Sequence, residues 1–124
     1  MIYNNIEYKI KFYRNSKNGG SPVEDYVENL AVKEKTKVYK YIEVLRINNG
    51  VLDEPYSKHI KDKIRELRVD FSNRRHWIFY FTFINKNIIL FHAFLKKTQK
   101  TPTNEIKSAE RNYIDVINNP KLYE

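Results

Sequence analysis

The stretch RHWIFYFTFINKNIILFHAFL, residues 75–95, decides the fold of this chain. It contains two apolar runs, at 75–83 and 88–95, and the segment between them includes Asn-Lys-Asn at 85–87, which predicts a hairpin turn. Each run is apolar on both faces. It therefore predicts a strand in the middle of a sheet, because such a strand has to be covered on both sides.

Two further segments alternate between apolar and charged residues, as half-buried strands do. In the first, at 6–12, the apolar positions are Ile6, Tyr8, Ile10 and Phe12. The second, IRELRVDF at 64–71, places Glu66 and Arg68 on one face and three apolar side chains on the other. The dipeptide Ser-Asn that follows it predicts a turn into the next strand.

Three helices are predicted. The segment SPVE, residues 21–24, has the pattern of a capping box with proline in the first turn, so a helix should begin there. A second helical pattern at 38–45 ends at Asn-Asn-Gly, and the short connection predicts a helical hairpin. Thr-Pro at 101–102 opens a third helix. Its apolar stripe consists of Ile106, Ala109, Tyr113, Val116 and Ile117.

The element order is therefore β-α-α-β-β-β-α. It indicates an α+β fold with a mainly antiparallel sheet, a helical hairpin and a C-terminal helix. Residues 51–62, which contain Pro55, are predicted to form a polar connection. We expect one domain over residues 1–124, because this length suits a single modest core and no repeat or linker divides the chain.

The composition points to a polyanionic partner. Lysine and arginine number 23 against 15 aspartate and glutamate, a formal net charge of +8. Nucleic acid is the first expectation, and an acidic protein or anionic membrane the second. The absence of cysteine excludes disulfides and thiolate metal sites. No apolar stretch approaches the ~18 residues of a membrane span, and no signal peptide is evident, so a cytoplasmic protein is expected.

The run at 88–95 leads directly into the basic segment KKTQK at 96–100 instead of the usual turn residues. A strand end is a rigid place from which to present side chains. Lys96, Lys97 and Lys100 can therefore grip phosphates, and a solvated run of charges is the alternative.

Two arginines are candidates for phosphate binding. If the strands on either side of 70–74 form a hairpin, Arg68 and Arg75 lie close together, and such a pair is well shaped to hold a phosphate or its transition state. The alternative is a surface ion pair between Arg68 and Glu66, which would contribute little.

His92 lies in an apolar strand and shares a predicted face with Leu90, Phe94 and Lys96. It is either a buried, hydrogen-bonded core residue or an acid–base group. The carboxylates are scattered without paired spacing, and no glycine-rich phosphate loop is present. Neither a metal nor a cofactor is therefore expected.

Several motifs together resemble a known family. They are PYSKHI before a strand, ELR on it, an arginine at the following turn, and FHAFLKKTQKTP running into NEIKSAERN. Over most of residues 21–117 the chain resembles the HigB-like, phage-associated branch of the RelE/ParE toxin superfamily.

The resemblance implies the toxin of a type II toxin–antitoxin system, bound by a helix-turn-helix antitoxin in a heteromeric complex. HigB and RelE relatives cleave messenger RNA on the translating ribosome without a metal. ParE relatives share the fold but poison DNA gyrase. A non-catalytic nucleic-acid-binding domain is the third alternative.

On this interpretation, Arg68 and Arg75 stabilise the phosphate while His92 or Lys96 transfers protons. Contacts to the RNA backbone are assigned to Lys97 and Lys100, with weaker candidates in Lys58 and His59. Many relatives carry a second arginine two residues after the one matched by Arg75. Trp77 stands there instead, which predicts a differently arranged catalytic set.

Overall fold

The computed structural model describes residues 7–124, in which five strands and three helices form an α+β fold. The strands are β1 (Lys9–Phe12), β2 (Ser57–Lys61), β3 (Ile64–Phe71), β4 (Arg74–Thr82) and β5 (Asn87–Leu95). The helices are α1 (Pro22–Glu28), α2 (Val32–Ile47) and α3 (Thr103–Asn118), and single helical turns occupy Ile84–Lys86 and Pro120–Tyr123. Within this part of the chain, no helix has the length and apolar character needed to cross a bilayer.

The five strands form one sheet in the order β1-β5-β4-β3-β2. β1 runs parallel to β5, and the other three pairs are antiparallel. The two apolar runs of the sequence are β4 and β5, and both lie inside the sheet. The predictions of a mainly antiparallel sheet and of two inner strands are therefore confirmed.

The prediction of a polar connection over residues 51–62 is wrong for its second half, which forms β2. Ser57 is buried in this strand, and the following four residues are exposed. An edge strand with so little buried surface lacks the apolar alternation by which strands are recognised. In the N-terminal strand, Ile6 lies outside the described residues, and the strand itself begins at Lys9.

Each face of the sheet carries its own core. On one face, α1 and α2 pack through Val23, Val27, Val38, Ile42 and Leu45. On the other face, Ala109 and Val116 of α3 pack against the aromatic side chains of β4 and β5. A hydrogen bond of 2.6 Å from the Tyr39 hydroxyl to Glu28 joins α2 to α1. Cover on both sides of the inner strands is thus confirmed.

The capping box predicted at residue 21 is wrong in its hydrogen bonds, although the first helix does begin at Pro22. The Ser21 hydroxyl makes no capping bond. It is buried and donates instead to the carbonyl oxygen of Tyr13 at 3.0 Å. At the end of α2, Gly50 has a φ of +82°, as a glycine stop signal requires.

A bulge in β5 removes Leu90 from the predicted face of His92, while Phe94 and Lys96 remain on it. The register places His92 opposite Phe79 and Leu90 opposite Tyr80, so Phe91 is an additional residue between them. His92 therefore contacts the rings of Phe79 and Phe94, while Leu90 belongs to the core beneath α1 and α2.

A buried polar network joins α1, α2 and β4. Glu34 accepts a hydrogen bond of 2.6 Å from Arg74 Nε and a short one from His76 Nε2. The Tyr26 hydroxyl lies 2.7 Å from the other ring nitrogen of His76. Burial acts to raise the pKa of Glu34, but the hydrogen bonds from Arg74 and His76 outweigh it and hold the pKa below its ordinary value.

Glu34→Ala should lower the free energy of unfolding by about 2 to 4 kcal/mol, because it leaves His76 buried without its partner. The lowered pKa means that the Glu34 contribution is fully present above pH ~4.3 and is lost as the pH falls through the folded value. Chemical denaturation at several pH values should therefore show the cost of the substitution shrinking in acid.

Glu43→Ala on the same helix is the matched control, because Glu43 is exposed and pairs with Arg46 at the surface. It should change stability little. A cost as large as that of Glu34→Ala, or a pH-independent cost of Glu34→Ala, would contradict the assignment.

Candidate nucleic-acid interface

Part of the α3 face of the sheet lies open near the β3–β4 turn. Two cavities meet there at Trp77, which is half-buried. The first measures about 750 Å³, and its lining includes Arg75, Lys96 and Lys97. The second measures about 240 Å³, and its lining includes Arg68, Arg75, Tyr41 and Tyr56. The region therefore combines cations with aromatic faces, as RNA-binding surfaces do.

The β3–β4 hairpin brings the two arginines together, as the sequence predicted. Arg75 pairs with Asp70, and Arg68 pairs with Trp77 two positions further along the strands. Residues two apart on a strand share a face, so both guanidinium groups lie on the α3 side of the sheet. Both line the smaller cavity.

Arg68 is fixed by two neighbours. Its Nη2 and Nε donate to Glu66 Oε1 at 2.7 and 3.2 Å. Its guanidinium carbon lies 4.8 Å from the centre of the Trp77 ring. Glu66 is only 2% exposed and the Arg68 side chain 27%, so this is a partly buried ion pair and not the surface pair that the sequence left as the alternative. Arg68 is thus positioned before any ligand arrives.

Lys96 is fixed on the other side of the site. Its Nζ lies 4.4 Å from the centre of the Trp77 ring and donates to Thr101 Oγ1 at 3.1 Å. Its backbone N–H donates to the Arg75 carbonyl oxygen at 2.8 Å. Trp77 therefore contacts two cations.

The remaining cations differ in their exposure and in whether their side chains form hydrogen bonds or ion pairs within the protein. Arg75 and Lys97 are exposed, and their side chains make no hydrogen bond or ion pair within residues 7–124. Lys100 is also exposed but does not line either cavity. Arg74 points to the opposite face, where it donates a hydrogen bond to Glu34. Arg75 is therefore the arginine available to a phosphate.

The structure separates the two residues predicted on the connection before β3. Lys58 pairs with Glu66 in the sheet, while His59 pairs with Arg65. His59 Nε2 lies 2.6 Å from the Asp62 carbonyl oxygen, and the residue lines a different cavity with Arg65 and Tyr80. His59 is thus not brought to the arginines, because the segment is a strand whose successive side chains face opposite sides.

His92 has the surroundings of a core histidine. Its side chain is 12% exposed, and its Nε2 lies 2.8 Å from Glu105 Oε1 on α3. Burial lowers the pKa of His92, and the hydrogen bond to Glu105 opposes that change. It lines neither of the cavities at Trp77.

Sequence patterns did not reveal two features of this region. Tyr41 lies in the helical pattern at 38–45 and Tyr56 follows no periodic pattern, yet their ring centroids lie 6.0 Å apart beside the arginines. The cation contacts of Trp77 depend on register, which a single sequence does not specify. Among the described residues, no group of three or more potential ligands could hold a metal ion.

Comparison with known proteins gives one finding. The sequence model of a family described as phage derived protein Gp49-like (DUF891) matches residues 25–114. This span includes the second half of α1, all of α2, all strands except β1, and most of α3. No curated protein matches the chain.

The surroundings of His92 predict its titration. We expect its imidazole pKa, measured by NMR, to lie below the ordinary value of ~6.5 because burial disfavours the cation. Glu105→Gln should lower this pKa further, since the glutamate stabilises the charged ring. Glu110→Gln on the same helix serves as the control and should leave it unchanged. A pKa at or above the ordinary value, insensitive to Glu105→Gln, would place His92 in the open site.

Proposed function

The chain belongs to the Gp49-like family of phage-derived proteins, a family of RelE-like toxins, and we propose that it cleaves messenger RNA on the ribosome. We place it in the HigB-like branch, as a cytoplasmic toxin held by a helix-turn-helix antitoxin. The observation that supports cleavage most directly is the grouping of Arg68, Arg75 and Lys96 around Trp77 on an open sheet face.

RNA carries its own nucleophile in the 2′-hydroxyl, so the protein has to stabilise charge and move protons. As the 2′-hydroxyl loses its proton to water, its oxygen attacks the adjacent phosphorus. Negative charge then increases on the phosphate oxygens until the bond to the 5′-oxygen breaks. Arg75 is exposed and without a partner in the described residues, so it can bind those oxygens directly. Arg68 adds a second, pre-positioned charge, and preorganised charge of this kind is the usual basis of such catalysis. No step requires a metal.

We assign proton transfer to Lys96 and not to His92. Lys96 lines the same cavity as Arg75, and its backbone N–H donates a hydrogen bond to the Arg75 carbonyl oxygen. As an ammonium it can donate a proton to the departing 5′-oxygen. His92 is instead hydrogen-bonded to Glu105 between the sheet and α3.

The smaller cavity suits a nucleobase beside the scissile phosphate. Tyr41, Tyr56 and Trp77 provide aromatic surfaces, and Arg68 and Arg75 line the same space. Stacking of an unpaired base on such surfaces contributes ~1–3 kcal/mol per base in other proteins. The base would orient the neighbouring phosphate toward Arg75.

We assign backbone contacts to Lys97 and Lys100, with Lys58 further along the same sheet face. All three are exposed. Because lysine contacts to phosphates release counterions, RNA binding should weaken steeply as salt rises. The strongly basic composition is consistent with this assignment.

Substitutions can separate catalysis from binding. Arg75→Ala should slow the chemical step by ~10²-fold or more, as expected for loss of one transition-state donor. Lys100→Ala should mainly weaken binding, because a flexible ammonium contacts phosphate equally in the ground and transition states. The measurement is single-turnover cleavage on saturated ribosomes, with thermal melting as the folding control. Normal cleavage by Arg75→Ala at saturation, with slow cleavage by Lys100→Ala, would reverse the two roles.

Brief expression in cells should stop translation before replication, because messenger RNA is the proposed target. Incorporation of labelled amino acids and thymidine after induction measures both processes. Arg75→Ala provides the matched control and should leave both largely intact. Early loss of thymidine incorporation with intact messages would instead indicate a gyrase target.

A further inference from the structure

A third cavity, which we call the α3 groove, lies between α3 and the sheet. It measures about 620 Å³ and is lined by side chains from α3 and from β2 to β5. Three isoleucines in its lining are substantially exposed: Ile60 at 43%, Ile106 at 42% and Ile114 at 56%. Arg75, Lys96 and Lys97 do not line it. Exposed apolar side chains around a groove are typical of surfaces that bind another protein.

The charge of the α3 groove is opposite to that of the whole chain. Its lining contains three carboxylates, Asp62, Glu66 and Glu110, and one cation, Lys61, and one acid remains in excess when Arg68, the partner of Glu66, is also counted. The chain as a whole has a net charge of +8. This local excess of acid favours a cationic group in the groove.

Glu66 provides an independent observation. It is 2% exposed, and its Oε1 accepts both hydrogen bonds from Arg68. Its other oxygen, Oε2, is buried and has no hydrogen-bond partner in the described part of the chain. Buried polar atoms are almost always paired, so the unpartnered oxygen of a residue that lines the cavity leaves a hydrogen-bond position for a donor.

We propose that the α3 groove binds a segment of a partner protein that places a lysine or arginine between apolar side chains. The apolar side chains pack on the exposed isoleucines, and the basic group donates to Glu66. A partner segment fits better than a small molecule because Ile60 and Ile114 extend the apolar surface to the exposed strand β2 and along α3. A bound small molecule would leave much of this surface in water.

The basic group reaches Glu66 through a small rotation of the carboxylate. The terminal torsion of glutamate is broad, so one oxygen can turn toward the groove while Arg68 keeps the other. The segment would then contact Trp77 and Glu66, the two residues that hold Arg68. Groove binding is measured without RNA, so its failure is distinguishable from failure of the proposed cleavage.

A library of short helical peptides selected on the intact protein tests the proposal. Peptides that also bind Ile106→Asp are removed, which leaves those that need the groove. Binding is followed by the fluorescence of Trp77, the only tryptophan in the chain and part of the groove lining. The selected peptides should carry a basic residue between apolar residues. Glu66→Gln should weaken them ~10-fold or more, as for loss of a charged hydrogen-bond partner.

Glu43→Gln is the control, because Glu43 lies on α2, which covers the opposite face of the sheet. This substitution should leave peptide binding unchanged. Glu110→Gln, at an exposed groove residue, should weaken binding to a smaller degree and provides the test if Glu66→Gln fails to fold. Three results would overturn the proposal. They are selected peptides without a basic residue, no peptide that depends on Ile106, and phenylbutylamine binding as tightly as the selected peptides.

Discussion

The inner strands β4 and β5 are apolar on both faces, and this constraint determines the rest of the structure. Each face has to be removed from water, so the chain needs helices on both sides of one sheet. The α1–α2 pair covers one face, with Val27, Val38 and Leu45 fully buried there. Helix α3 covers the other face only where Ala109 and Val116 meet the aromatic core. The region beyond it, toward the β3–β4 turn, is where the cations gather.

Trp77 shows how this open region accommodates its charge. Arg68 and Lys96 already contact its ring, and Arg75 lines the same cavities. An arginine at position 77 would therefore add a further like charge. A neutral indole instead offers a face to two of the cations, which are held 4.8 and 4.4 Å from the ring centre. Glu66 neutralises part of the charge of Arg68 through their ion pair. A tryptophan at position 77 thus adds no charge of its own and fixes the positions of two cations.

The sequence predicted those features whose signal is local. The two apolar runs, the β3–β4 hairpin that joins Arg68 to Arg75, and the three helices all follow from periodicity and turn residues. β2 was missed because an edge strand that buries only Ser57 carries no apolar alternation. Leu90 was wrongly placed on the face of His92 because one additional residue, Phe91, shifts parity. The partners of Trp77 and the orphaned oxygen of Glu66 depend on register and packing, which only three-dimensional structure specifies.

The charge distribution separates two surfaces on the same face of the sheet. Toward the β3–β4 turn lies the basic region of Arg75, Lys96 and Lys97, and beneath α3 lies a groove with three carboxylates in its lining. Had the excess positive charge been spread evenly, a basic partner segment would be repelled everywhere, and RNA would bind without preference for the cavities. Trp77 lines both regions, and Arg68 contacts Trp77 and the groove residue Glu66. An occupant of the groove would therefore contact the residues that position Arg68 without competing for the phosphate contacts of Arg75.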